Sequence, residues 1–151
     1  MDEEGLRMGD RGNIEIAQPC TGLEGGETSI FLYTHWRGSE LCKILATALD
    51  KGRDRWADPT YMTRIIFNEL QGDDRSNTGF GISIDEIDPE YPTPQLYWTT
   101  RTSKFGTPAP EHPHVWHGTD FYTADEFILH FLAPRDDYYD LEPTLELPVI
   151  Q

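Results

Sequence analysis

Three histidines fall within six residues, His112, His114 and His117 of the run Glu111-His112-Pro113-His114-Val115-Trp116-His117. Imidazole nitrogens are good ligands for zinc and other divalent transition metals, so this run is a candidate metal site. Glu111 or Asp120 would then serve as base for a metal-bound water, the requirement of a metal-dependent hydrolase. An extended backbone sends His112 and His114 to one face and His117 to the other, and no HExxH helix is present. A solvated loop is therefore the competing reading. A second constellation is Tyr33-Thr34-His35-Trp36-Arg37-Gly38-Ser39-Glu40, read as the joint between a strand and a helix. Free backbone N–H groups at a helix start attract anions. Arg37 and the more distant Arg11 would add bidentate contacts, Trp36 a stacking face, and His35 and Glu40 further polar groups. The alternative has His35 and Trp36 packing the sheet edge and Arg11 pairing with Glu40.

Weaker signals surround these two. The acidic run Asp85-Glu86-Ile87-Asp88-Pro89-Glu90 offers oxygens to calcium or sodium but lacks the glycine and spacing of an EF-hand loop. Cys20 and Cys42 match no metal or redox spacing and read as reduced thiols. No GxSxG elbow or Walker loop is present, and Gly79-Phe80-Gly81 is too short for a dinucleotide fingerprint.

The elements that must hold these residues follow from periodicity and punctuation. Asn13 to Ala17 alternates as a half-buried strand does, and Ser29 to Thr34 supplies a second strand, pairing with the first as a hairpin. Leu41, Ile44, Leu45, Ala48 and Leu49 make one apolar helical face within a helix from about Ser39 to Lys51. Asp58 as N-cap and Pro59 at the first helical position start a second helix, striped by Met62, Ile65, Ile66 and Leu70. Thr78 to Ile84 and Gln95 to Thr100 read as strands, Lys104 to His114 as a Pro- and Gly-rich loop, and Val115 to Tyr122 as an edge strand. Thr123 and Glu126 form a capping box, and Tyr122 with Phe127 a hydrophobic staple, for a short last helix. This order predicts a single α+β domain over residues 10–133. Its antiparallel sheet would have about 4–5 strands, with two central helices and one C-terminal helix packed mainly on one face. Residues 1–9 read as an acidic leader and 134–151 as an acidic, proline-broken tail.

Composition narrows the partners. Twenty-seven acidic residues against twelve basic ones give a formal net charge of −15 over 151 residues. A chain so acidic repels free nucleic acid and anionic membrane. Dense carboxylates with few lysines suit the cytoplasm of a halophile; a nucleic-acid mimic that inhibits a basic partner and a mesophilic protein with an acidic tail are the rival explanations. No apolar run approaches the roughly 20 residues that span a bilayer, and the start lacks a signal-peptide pattern. A cytoplasmic protein is expected, in the host cytoplasm if viral.

Gly9-Asp10-Arg11-Gly12-Asn13-Ile14, the IFLYTHWRGSE run and Thr78-Gly79-Phe80-Gly81-Ile82-Ser83, with RWADPTYMTRIIFNEL between them, form a distinctive set over residues 8–85. The set resembles a family of small uncharacterised proteins of bacteria, archaea and their viruses. That resemblance implies a viral or mobile-element origin and a counter-defence or other accessory role, and no particular reaction. The leading expectation is a non-enzymatic protein that binds a small anionic ligand at Arg11, His35, Trp36, Arg37 and Glu40, or a protein partner. The alternatives are the metal-dependent hydrolase and the acidic mimic.

Overall fold

A computed structural model describes residues 9–17, 29–102 and 108–132. Residues 1–8 of the leader, the tail and Cys20 lie outside the described residues, whereas Gly9 is described. The elements run β1 (Gly12–Ala17), β2 (Ser29–Thr34), α1 (Leu41–Lys51), α2 (Pro59–Gln71), β3 (Phe80–Ser83), β4 (Gln95–Thr102), β5 (Pro108–His117), β6 (Asp120–Thr123) and α3 (Ala124–Leu132). The α+β class and the single domain are as expected. The sheet has six strands in the order β3-β2-β1-β4-β5-β6, where 4–5 were expected.

Nor is it wholly antiparallel, because β4 runs parallel to β1. The acidic segment between β3 and β4 is a crossing rather than a hairpin turn. Asn13, fully buried, tethers it: its Nδ2 donates to the Ile87 carbonyl at 2.9 Å and its Oδ1 accepts from the Ile87 N–H at 3.1 Å. Asn13 alternates with Ile14 and Ile16, so the segment crosses the face opposite the helices. A buried amide that satisfies both backbone groups of one residue fixes where the crossing lies.

Two further strand readings are corrected. The stretch taken as a loop up to His114 is β5 from Pro108 onward, and Val115 to Tyr122 is the return of a β5–β6 hairpin about Gly118 (φ +65°) rather than one edge strand. Prolines at 108, 110 and 113 made that stretch look unfit for pairing. They are accommodated because β6 pairs only with His114–His117, leaving one edge of the earlier part of β5 unpaired among the described residues. Register shifts by one residue between Thr99 and Thr100, a bulge that takes up the mismatch against β4.

The helices cover one face. Ile14, Ile16, Leu32, Leu96, Trp98 and Val115 point from the sheet into a core completed by the apolar stripes of α1, α2 and α3. The helix signals hold in detail. Asp58 accepts from the Tyr61 N–H, and the Thr123–Glu126 box closes with bonds of 2.9 and 3.1 Å. Tyr122 meets Phe127 edge-on at 5.3 Å. Trp56 closes the core between the first two helices, donating to the Leu49 carbonyl and accepting at its own carbonyl from the Trp98 indole.

Candidate functional site

The strand–helix joint is built from three glycine-marked segments that interlock. A Cβ on Gly9 would stand 2.4 Å from His35 Cδ2; one on Gly38 would stand 2.6 Å from the Arg11 carbonyl oxygen; one on Gly79 would stand 2.5 Å from Trp36 Nε1. Gly9 and Gly79 also hold φ of +108° and +95°, a region costly for any side chain. Backbone bonds tie the same pieces: Asp10 N–H to the His35 carbonyl, His35 N–H to the Gly79 carbonyl and Gly38 N–H to the Asp10 carbonyl. The glycines are thus demanded by close backbone approach.

Most of the polar groups expected to hold an anion are engaged within the chain. Arg37 Nη1 donates at 3.1 Å to the carbonyls of both Glu69 and Leu70, capping the last turn of α2, and Nη2 meets Glu40 at 3.2 Å. Arg11 pairs with Glu90 at 2.7 Å and Asp88 at 3.4 Å, not with Glu40. The N–H groups at the joint are also taken. Thr34 Oγ1 accepts from Trp36 and Arg37, and the Asp10 carboxylate accepts from the Ser39 N–H and hydroxyl. His35 Nδ1 lies 2.9 Å from the Tyr33 hydroxyl, and its ring meets Trp36 edge-on at 4.4 Å. Trp36 remains 52% exposed.

The histidine run divides as the alternation requires. His114 packs in a three-ring cluster with Tyr97 and Phe121 on the outer face of the sheet, its centroid 5.6 and 5.3 Å from theirs. His112 shares that face, while His117 sits on the helix side, edge-on to Phe131 at 6.1 Å. Among the described residues no three His, Cys, Asp or Glu side chains gather at metal-binding distance. His112, His114 and His117 therefore do not form one site.

One feature that sequence reasoning missed lies beside the joint. Gly38, Ser39 and the first turn of α1 form one wall of a cavity of about 320 Å³, closed by Tyr91, His117 and Phe131. Leu41, Cys42 and Phe131 make it largely apolar; Ser39, Lys43, Tyr91 and His117 are the polar residues of its lining. Burial pushes the Cys42 thiol up to about 11, so it stays protonated and a poor nucleophile at neutral pH. Burial lowers His117 below the ordinary histidine value, assisted by His130 and opposed by Asp120. The Tyr91 hydroxyl is raised by its bond to the Asp10 carboxylate. Lys43 makes no ion pair among the described residues. Its position on the exposed flank of the helical stripe, next to Cys42, was the available signal.

No protein family, characterised protein or solved structure matches the chain. Among the described residues no helix is long and apolar enough to cross a membrane.

Proposed function

We propose that the chain is a non-covalent binding protein whose cavity at the start of α1 takes a small ligand with an apolar body and one anionic group. The observation that carries this is Lys43, which makes no ion pair among the described residues and lines an otherwise largely apolar cavity of about 320 Å³. That volume falls in the usual range for small-molecule sites, which are mostly apolar with a few convergent polar groups. Lys43 would meet the anionic group, while Ser39 and neutral His117 would orient the ligand. The protonated Cys42 favours binding over nucleophilic chemistry. The expected anionic ligand is kept and its site moves, because Arg11 and Arg37 already hold partners.

A virus- or mobile-element-borne accessory role, with counter-defence as one form of it, rests on the GDRGNI, LYTHWRGSE and TGFGIS segments alone. The halophilic cytoplasm rests on the charge of −15 with only three lysines. The hydrolase reading loses support from the separation of His112 and His114 from His117 across the sheet.

Isothermal titration with benzoate and octanoate, each against its neutral amide, tests the binding reading. Saturable binding of an acid, weakened about tenfold or more by Lys43→Glu, is expected, since one charge contact contributes on this order. Equal binding of acid and amide, or binding indifferent to Lys43→Glu, would sink it.

A further inference from the structure

We infer that the outer edge of β3 is a homodimer interface, in which two copies pair their β3 strands antiparallel about a two-fold axis through Ile82. β3 ends the sheet, and no strand pairs with its outer side among the described residues. The direction of its free backbone groups follows from one bond. His35 N–H donates to the Gly79 carbonyl, and β2 pairs with β3 as Thr34↔Phe80, Tyr33↔Gly81 and Leu32↔Ile82. Hydrogen-bonding pairs alternate in an antiparallel ladder, so Gly79, Gly81 and Ser83 face β2. Phe80 and Ile82 then direct their N–H and C=O groups outward.

The side chains agree with this edge. Phe80 and Ile82 share one side of the strand, and Ile82, with Ile84 in the bend just after it, is largely exposed, at 61% and 78%. Exposed edge strands are ordinarily blunted by charge, proline or a bulge. Here residues 76–84 carry no charge and no proline, in a chain of net charge −15. It is a place where two such acidic chains can meet without opposing carboxylates. The occupant that suits it is a second copy, because the stripe is self-complementary. With Ile82 opposite its own copy, the outward N–H and C=O of the two Ile82 residues satisfy each other, their side chains meet on one side of the joined sheet, and Gly81 lies opposite Ser83. A register one step away, centred on Gly81, would put on the axis a residue whose N–H and C=O already face β2. A shared patch of this kind is the isologous contact expected of a two-fold dimer. This interface is separate from the cavity beside α1 and does not depend on what that cavity holds.

Sedimentation equilibrium of the full chain in molar salt, where charge repulsion is screened, reads the outcome directly. At about 100 µM the expected mass is twice 17.3 kDa, falling to 17.3 kDa on dilution. Ile82→Lys and Ile82→Glu, at an exposed position, should each be monomeric with unchanged circular dichroism, because each removes the apolar contact at the axis. Leu129→Lys, on the exposed side of α3, should leave the mass unchanged. A monomeric wild type, or a dimer indifferent to Ile82→Lys and Ile82→Glu, would each overturn the proposal.

Discussion

The indole of Trp36 lies against the α-carbon of Gly79 so closely that a methyl group there would come within 2.5 Å of Nε1. Gly79 also has φ +95°, so two independent costs meet at one position. Gly79→Ala should lower stability by about 1–3 kcal/mol and alter Trp36 fluorescence. Gly81→Ala, where a Cβ meets nothing within 4 Å, should change the unfolding midpoint little. Equal midpoints for the two variants in thermal denaturation would remove the interlock of the three segments.

Arg37 joins the strand–helix joint to the far end of α2 through two carbonyls. Truncation strands those acceptors at a half-buried helix end, and Arg37→Ala is expected to cost about 1–3 kcal/mol in urea denaturation. Arg37→Lys should recover only part of it, because an ammonium cannot reproduce the planar fork. A silent alanine variant would return Arg37 to the pool of groups available for a ligand.

His117 carries a pH dependence with a definite sign. Its folded value lies below the ordinary 6.5, because burial disfavours the imidazolium. Above 6.5 both folded and unfolded chains hold it neutral and the stability is full. As pH falls from 6.5 toward the lowered folded value, the unfolded chain takes the proton first and stability is lost. Denaturation midpoints measured from pH 7.5 to 5.5 should therefore fall, and fall less in His117→Gln. Parallel curves for the two proteins would refute the assignment to His117.

Net charge sets the response to salt. At −15 the folded chain repels itself, and screening relieves that repulsion more than it weakens exposed pairs such as Lys51–Glu69 at 2.8 Å. Thermal midpoints should rise from about 0.05 M to about 1 M sodium chloride, as the screening length shrinks to about 3 Å. Unchanged stability across that range would count against the halophilic reading.

Local signals were legible in the chain because their partners lie within a turn or two. The Thr123–Glu126 box, the Asp58 cap before Pro59 and the stripes of α1 and α2 all stand where periodicity and capping chemistry put them. The β1–β2 hairpin was legible because its two strands follow one another directly in the chain. The Pro-rich start of β5 was not. Proline removes a ladder donor, and only the shortness of β6 leaves it an edge to occupy.

Strand neighbours and side-chain convergence depend on contacts between residues far apart in sequence. The parallel placement of β4 beside β1 rests on Asn13 holding Ile87, an interaction no local pattern encodes. Arg11 found Glu90 and Asp88 once that crossing existed, and Arg37 found the end of α2. The cavity at Lys43 likewise needs Tyr91 and His117 brought to the start of α1 by the crossing segment and by β5. Residue types determined which groups were available for chemistry. Long-range packing consumed the arginines and parted the histidines, because burying one apolar face of six strands leaves each remaining side chain little choice of neighbour.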